Sequence, residues 1–458
     1  MGFGAAPNRK PGFTIRTNPY KPIWIGDTNQ ERMFGTSGIR GVVGEDITPK
    51  LALKVGAAIG EPSEKVTVGR DTRLTGSGLE NAAVSGITSR GADVELLGIA
   101  PTPTVARYAD GNSLVVTASH NPMEYNGFKL WNPDGTAFDE EQRKETVSKI
   151  REGVATEPPE RFGDVTKQED AIDKHVEEVV GSISVEGSLK VVVDGGSGAG
   201  SRVTPKVLRE IGCEVVTINC NPDGTFPGRL PEPTEENLGD LKEAVVAADA
   251  DLGVAHDGDA DRTAVVDSTG SYVQPDRLMA VFAESVDADE VVAPLNTSMV
   301  VDHVADVTHT KVGDVYVAEK LRETEAPFGG EPSNSWIFPR QTFCPDGVYA
   351  AAKAAEIASR NPFSERLQEL PEYVIERGSL ECDEERKAEV MDQVREDVCT
   401  EFDEYSTVDG VRADTEDGWF LVRPSGTEPL IRVTAQADSG KLADELYSYA
   451  EDVLRRHL

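Results

Sequence analysis

The feature that most narrows the folding options is a rhythm: short apolar runs, each closed by a glycine-rich or acidic loop and followed by a stretch of helical pattern. After Met33, Val66-Thr67-Val68 runs into Gly69, Leu79 to Arg90 reads as a helix, and Asp93 to Leu97 as a strand. Leu114-Val115-Val116 is a strand that opens into a loop at Thr117. The unit recurs. Lys190 to Val193 enters the loop Asp194 to Gly200, a helix is expected through Glu210, and Glu214 to Ile218 is a strand. Leu238 to Ala248 reads as a helix and Leu252 to Ala255 as a strand into an acidic loop. Glu290 to Ala293 and Thr308 to Val312 are strands, with a helix expected over Met299 to Val304. Strands alternating with helices specify α/β layers with largely parallel sheets. The tail differs: two strand-like runs, Trp419 to Arg423 and Leu430 to Ala435, flank a turn and precede a helix from Lys441 to Arg455, as in a small α+β domain. At 458 residues the chain is long enough for several domains of ~150 residues. The polar stretches Gly153–Thr166 and Asn361–Pro371 are expected linkers.

Charge removes whole classes of function. The chain carries 81 Asp and Glu against 46 Lys and Arg, a net −35. Such a surface repels phosphate backbones and anionic lipid, so neither nucleic acid nor a membrane surface is an expected partner. No run of about 18 apolar residues offers a membrane span. The five cysteines (Cys213, Cys220, Cys344, Cys382 and Cys399) form no C-x-x-C pair, which argues against a disulfide framework or a cysteine zinc site and fits a reducing cytoplasm. Arg outnumbers Lys by 28 to 18, and the acidic excess is spread along the chain. This combination resembles the surface of proteins adapted to concentrated salt, whose cost is self-repulsion when salt is removed; an ordinary acidic cytosolic protein is the alternative. Residues 1–32 break the pattern: they carry +3, hold Pro7, Pro11, Pro19 and Pro22, and lack the apolar core of a secretory signal. They read as a flexible extension, or as the product of a start upstream of Met33.

Three loops carry chemistry. The first is Thr117-Ala118-Ser119-His120-Asn121-Pro122, where a hydroxyl stands at a strand-to-loop corner, open for nucleophilic attack, with small neighbours and a rigidifying proline. Lys129, ten residues on, offers an ammonium to the same place. No G-x-S-x-G elbow is present, so a hydrolase triad is not indicated. The second is Asp257-Gly258-Asp259-Ala260-Asp261-Arg262. Three alternating carboxylates can converge on one divalent cation, and an all-oxygen set suits Mg²⁺ rather than zinc. An EF-hand is excluded, because Arg262 and Ser268 stand where Gly and Glu are required. The third is Arg423-Pro424-Ser425-Gly426-Thr427-Glu428-Pro429, with Arg432 close behind. An Arg fork, two hydroxyls and the backbone N–H groups of a glycine turn form a phosphate cradle. The loop Asp194–Gly200 fits no register of G-x-G-x-x-G and reads as tight strand–helix packing; a Walker loop is absent.

In order along the chain, these motifs resemble those of the α-D-phosphohexomutase superfamily. The likeness starts at Phe34-Gly35-Thr36-Ser37-Gly38-Ile39-Arg40-Gly41 and passes through Gly69-Arg70-Asp71-Thr72-Arg73, the Ser119 and Asp257 loops, Gly330-Glu331-Pro332-Ser333 and the Arg423 loop. It implies a heart-shaped arrangement of four domains: three similar α/β domains with mixed sheets and a small C-terminal α+β domain. The boundaries expected here are 1–32 for the extension, then 33–162, 163–268, 269–366 and 367–458, each domain supplying one loop to a common cleft.

The resemblance implies a Mg²⁺-dependent phosphosugar mutase that moves a phosphoryl group between the 6- and 1-positions of a hexose phosphate. Ser119, as phosphoserine, gives its phosphate to the substrate. The resulting hexose bisphosphate, also the activator, turns round and returns the other phosphate. Asp257, Asp259 and Asp261 hold Mg²⁺ with an oxygen of Ser119. Lys129, Arg40 and His120 are the remaining catalytic candidates. Arg262, Lys311, Gly313, Asp314, Glu331 and Ser333 face the sugar. Arg423, Ser425, Gly426, Thr427 and Arg432 hold the phosphate that does not react. One departure stands out: many relatives follow Glu-Pro-Ser with Gly-His, and here Asn334-Ser335 follow, so a histidine shuttle from this loop gives way to Lys129. The Trp336-Ile337-Phe338-Pro339 ending is most similar to the archaeal phosphoglucosamine mutase branch. Phosphomannomutase, phosphoglucomutase and phosphopentomutase activities are the alternatives, with a phosphatase or bisphosphate synthase and a non-catalytic sugar-phosphate sensor as rivals. The oligomeric state is left open.

Overall fold

Each of the first three sheets contains an antiparallel hairpin, and each hairpin presents one of the loops singled out above. The computed structural model describes residues 35, 38–426 and 428–458; the extension 1–32 and Thr427 lie outside them. In the first sheet the strands are β1 (Ile39–Val42), β2 (Lys65–Arg70), β3 (Asp93–Ile99), β4 (Asn112–Val116), β5 (Tyr125–Trp131) and β6 (Val165–Lys167), in the order β1-β5-β4-β2-β3-β6. Strands β2, β3, β4 and β6 run parallel, while β5 turns back antiparallel to β4 and also pairs with β1. The second sheet, β7 (Lys190–Asp194), β8 (Glu214–Ile218), β9 (Leu252–His256) and β10 (Thr263–Asp267), is ordered β10-β9-β7-β8. The third, β11 (Glu290–Pro294), β12 (Asp306–Thr310), β13 (Phe328–Glu331) and β14 (Ser335–Ile337), is ordered β12-β11-β13-β14. In both, parallel pairs are followed by one returning strand, β10 or β14. The interiors of these strands are near-continuous apolar runs because helices cover both faces of a parallel sheet.

The fourth sheet is antiparallel throughout: β15 (Val374–Glu381), β16 (Tyr405–Ser406), β17 (Val411–Thr415), β18 (Gly418–Pro424) and β19 (Leu430–Ala437), ordered β15-β19-β18-β17-β16. The helices Lys387–Glu401 and Gly440–His457 pack on it through Val390, Val394, Val398, Ala443, Leu446 and Ala450. The second and third domains share one continuous core, in which Phe282, Phe328, Trp336 and Phe338 pack ring against ring. The first and fourth domains each have their own core.

Two expectations for local structure fail. Residues 299–304 form successive turns and not a helix, with Val301 N–H donating to the Ser298 carbonyl and Val304 N–H to that of Val301. The start of that segment is held elsewhere: Ser298 N–H donates to Asp276 and Met299 N–H to the Gln436 side chain, so tertiary bonds override the helical pattern. Within the expected linker Asn361–Pro371, Phe363–Glu369 is a helix anchored by the buried Phe363. No helix among the described residues is long and apolar enough to cross a membrane. All five cysteines are free.

Candidate active site

The loop between β4 and β5 lies against the loop between β9 and β10, and the two nearly touch through backbone. A Cβ built on Gly258 would come within 2.6 Å of the Ser119 carbonyl oxygen, so only glycine allows this approach. Ser119 takes a left-handed conformation, φ +48°, and is 1% exposed. The open hydroxyl expected from the sequence is therefore shut in, because the acidic loop closes over it. Its Oγ donates to Asp257 Oδ2 at 2.6 Å, and its N–H donates to Thr117 Oγ1 at 2.8 Å. His120 Nδ1 stands 3.4 Å from the same Oγ. Burial, with Arg262, Arg40, Lys129 and Arg73 around it, lowers the His120 pKa well below the usual range and keeps the ring neutral.

The three aspartates converge as their alternation predicts. One carboxylate oxygen from each of Asp257, Asp259 and Asp261 lies within 4.8 Å of the others, and all three side chains are buried. Asp259 Oδ2 accepts from Thr102 Oγ1 at 2.5 Å and from Lys129 Nζ at 2.7 Å, and Lys129 also pairs with Asp261. Burial opposes ionisation of Asp259, but Lys129 and the Thr102 hydroxyl more than offset it and hold its pKa below the carboxylate range. Burial together with Asp261 and Asp259 raises that of Asp257. Lys129 is pushed down by burial and, more strongly, up by the two carboxylates, so it is an ammonium. The outer oxygens Asp259 Oδ1 and Asp261 Oδ1 are buried with no hydrogen-bond partner among the described residues. Orphaned carboxylate oxygens of this kind are costly unless something cationic meets them. The donor set is all oxygen, and the residues therefore fit a magnesium ion.

The other loops close round this centre. Arg40, on β1, has a buried Nε without a partner among the described residues; burial lowers its pKa while Asp259 and Asp261 pull it up. Arg262 Nη1 pairs with Glu232 at 3.4 Å. Asp314, behind Gly313 (φ +137°), has its pKa raised by burial and by the field of Asp261. Glu331 accepts from Ser333 Oγ at 2.8 Å, and its pKa is raised by burial and Asp314 against the pull of Arg262 and Arg423. Asn334, in the departure from the usual loop, takes the left-handed conformation (φ +67°) that a glycine would supply. Its carbonyl accepts from Thr263 N–H of the second domain at 2.9 Å, and its amide donates to Tyr272 at 3.1 Å.

In the fourth domain Arg423 and Arg432 face each other across β18 and β19. Arg423 Nη1 is 3.3 Å from Asp409, whose other contact is the Val312 N–H of the third domain at 3.0 Å. Arg432 pairs with Glu428 at 2.9 Å. Ser425 N–H donates to the Leu430 carbonyl and its Oγ accepts from Glu428 N–H, so the turn carrying Gly426 is built as a hairpin end. Lys311 stands apart from this group: it is exposed and lies over the Tyr316 ring at 5.4 Å.

Sequence reasoning missed the supports. Arg73 is fully buried; Nε donates to Asp71 at 2.9 Å, Nη1 to the carbonyls of Pro122 and Tyr125, and Nη2 to those of Ser119 and Asn121. Asp71 in turn accepts from Thr117 Oγ1 at 2.7 Å. Thr102 and Lys387 were missed as well; Lys387 Nζ donates to the carbonyls of Ser425 and Glu428 at 2.8 and 2.6 Å, bracing the turn that carries Gly426. The one available signal was Asp71-x-Arg73 at a strand end, a spacing that lets an acid and a base close on one another. The loop Asp194–Gly200 does serve packing: Ala199 N–H donates to the Gly258 carbonyl and Thr72 Oγ1 to that of Ser197, which backs the acidic loop.

Comparison with known proteins agrees with this geometry. The phosphoglucomutase/phosphomannomutase α/β/α domains I, II and III match residues 31–157, 172–270 and 274–374, and the C-terminal domain of the same family matches 379–452. A protein named "Probable phosphoglucosamine mutase" from Methanocella arvoryzae is 46% identical over 93% of this chain and 98% of its own length. Another of that name from Methanosarcina acetivorans is 45% identical over 93% of this chain and all of its own. The crystal structure of a phosphoglucomutase/phosphomannomutase family protein from Burkholderia thailandensis superposes with a TM-score of 0.81 at 31% identity, over 93% of this chain and 98% of that one. With four domains matched in order and relatives aligned end to end, the chain belongs to the phosphoglucomutase/phosphomannomutase family of α-D-phosphohexomutases.

Proposed function

We propose that this mutase interconverts the 6- and 1-phosphates of glucosamine, with Ser119 as the phosphoryl carrier. The observation that carries the reading is the 2.6 Å contact from Ser119 Oγ to Asp257 in a pocket that also holds Lys129 and Asp259. The sugar is supported by the end-to-end relatives named for phosphoglucosamine.

In the forward half-reaction, the bond between phosphorus and Ser119 Oγ breaks and a bond to a sugar hydroxyl oxygen forms, while that hydroxyl loses its proton. Neutral His120, beside Ser119 Oγ, can carry a proton between the serine and the substrate. Lys129 is an ammonium and acts as a donor and a positive charge, not as a base. Arg40 and Arg262 bring fixed charge to the transferring group. Glu331 and Ser333, with Asp314, face sugar hydroxyls. Arg423, Ser425, Gly426, Thr427 and Arg432 hold the distal phosphate; Arg423 exchanges Asp409 for it. The reverse half-reaction repeats these steps after the hexose bisphosphate has turned round. Magnesium held by Asp257, Asp259 and Asp261 would withdraw charge from the phosphoryl group in flight.

The test is a coupled assay across glucosamine, mannose, glucose and ribose phosphates with catalytic bisphosphate. Preference for glucosamine 6-phosphate, loss of turnover on chelation with recovery on adding Mg²⁺, and no turnover by Ser119→Ala are expected. Near-normal mutase activity in Ser119→Ala, or full activity after exhaustive chelation, would sink the mechanism. A better substrate than glucosamine phosphate would overturn the choice of sugar alone.

A further inference from the structure

The acidic loop between β9 and β10 is held carbonyl by carbonyl, from three domains. The Gly258 carbonyl accepts from Ala199 N–H of its own domain at 2.9 Å, that of Asp259 from Thr102 N–H of the first domain at 2.8 Å, and that of Ala260 from Gly347 N–H of the third at 3.2 Å. Of the three donors only Thr102 carries a polar side chain, and its Oγ1 donates to Asp259 Oδ2 at 2.5 Å. Lys129 Nζ meets the same oxygen at 2.7 Å. Asp259 Oδ1 is left as the oxygen without a partner among the described residues. Thr102 is 0% exposed, and the helix Thr102–Arg107 is tied down further along: Thr104 Oγ1 is 2.8 Å from His175 Nδ1, and Arg107 pairs with Asp346 at 2.7 Å. Rotating the Asp259 carboxylate would strand a buried hydroxyl without its acceptor.

We propose that Thr102 is a positioning residue for the metal centre: it reserves Asp259 Oδ2, so that this carboxylate meets a divalent cation through one oxygen, which favours Mg²⁺ over Ca²⁺. Ca²⁺ takes carboxylates through one or both oxygens in a flexible shell, whereas Mg²⁺ is smaller and demands near-ideal octahedral geometry. A carboxylate locked by one oxygen in a pinned loop suits Mg²⁺. One free to swing and offer both oxygens suits Ca²⁺. Lys129 does not supply this lock, because its ammonium is shared with Asp261 and rides on a flexible four-carbon stem. Thr102 acts through Asp259 and not on the substrate. The inference rests on the assignment of Asp257, Asp259 and Asp261 to Mg²⁺.

The experiment is calorimetric titration of Mg²⁺, and separately of Ca²⁺, into the full chain after exhaustive chelation. It compares the parent with Thr102→Val, Thr102→Ala and Thr102→Ser. The Val variant keeps the volume and the backbone bond and loses only the hydroxyl. The Ala variant removes the same hydroxyl without a branched side chain, in case Val does not fold, and the Ser variant retains it. Mg²⁺ binding should weaken about 10- to 100-fold in Val and Ala, with Ca²⁺ binding changed about threefold or less, and both should stay within about threefold of the parent in Ser. The Mg²⁺ concentration for half-maximal turnover should rise in step with Kd, while KM for the sugar phosphate stays unchanged. Unaltered Mg²⁺ affinity without the hydroxyl, equal weakening of both cations, or a Ser variant as weak as Val would overturn the proposal. A parent that binds no Mg²⁺ defeats the aspartate assignment and this inference together. A parent that binds it no more tightly than Thr102→Val defeats this inference alone.

Discussion

Arg73 Nη2 donates to the carbonyl of Ser119 at 2.9 Å, so the residue assigned as nucleophile is fixed by its backbone from an arginine 46 positions earlier. The same guanidinium serves three further carbonyls of the hairpin and the Asp71 carboxylate, and its face lies 5.0 Å from the Phe226 ring of the second domain. One side chain thus sets the position of the hydroxyl relative to both domains.

Arg73→Lys should keep a charge but lose the fork. Leaving buried carbonyls and Asp71 without their partner costs on the order of 3–5 kcal/mol, and a displacement of about 1 Å at the reacting atom can cost about 10²-fold in rate. The expected outcome is a lowered melting temperature and a kcat reduced about 100-fold with KM little changed. A folded variant with full kcat would show that Ser119 is held by other contacts.

Arg423→Ala should act mainly on KM, since its assigned phosphate does not react. Loss of a charged contact to phosphate removes about 1.5–3 kcal/mol, a rise in KM of about 10- to 100-fold. Asp409→Ala supplies a contrast. It frees Arg423 from its resting partner and removes the link to Val312, so its effect on KM should be small and its effect on stability modest. Steady-state kinetics on the two variants separate the phosphate role from an interdomain one.

At the junction of three domains, Arg107 and His175 meet on Asp346, at 2.7 and 3.1 Å. Burial opposes the charge on Asp346, but His175 and Arg107 outweigh it and hold its pKa below the carboxylate range. A depressed carboxylate contributes stability fully above about pH 4 and loses it as pH falls toward the folded-state value. Asp346→Asn keeps the cap on the helix Gly347–Arg360 and removes the charge. It should be less stable by about 3–5 kcal/mol at pH 7. Its deficit should shrink as pH drops from 4 to 2, as read from denaturant unfolding across that range. A deficit independent of pH would assign the loss to packing.

The charge excess makes a salt prediction. Residues 33–458 carry −38, and the screening length grows from about 3 Å at 1 M salt to about 30 Å at 0.01 M. Dialysis into dilute buffer should inactivate or unfold the protein, and a chain starting at Met33 should behave identically if residues 1–32 contribute nothing to the site. Activity and melting temperature of both chains at high and low salt decide it; equal full activity in dilute buffer would overturn the salt adaptation.

The hairpin loops were legible because a strand, a turn and its chemistry are contiguous in the chain: Thr117 to Pro122, Asp257 to Arg262 and Arg423 to Pro429 each sit at the end of an apolar run. What joins them was not. Arg73 stood in the sequence only as the end of the Gly69–Arg73 motif, with no role until the fold brings Ser119 over it, and Asp346 lies 239 positions from Arg107 and 171 from His175. Thr102 lies 157 positions from the Asp259 it supports. Local pattern was overruled at Met299 to Val304, where Asp276 and Gln436 take up the backbone groups a helix would have used. Ser119 was read as open because a strand-end corner says nothing of what closes on it.

The van der Waals contact between Gly258 and the Ser119 carbonyl has a consequence for shuffling parts among relatives. The surfaces of the first and second domains meet there without room for a methyl group, and Thr102, Lys129 and Arg73 all cross the same seam. A chimera that takes the first domain from one parent and the second from another inherits a nucleophile and an acidic loop shaped for different partners. Exchanges that carry both domains together, cutting after β10, leave the seam as it was.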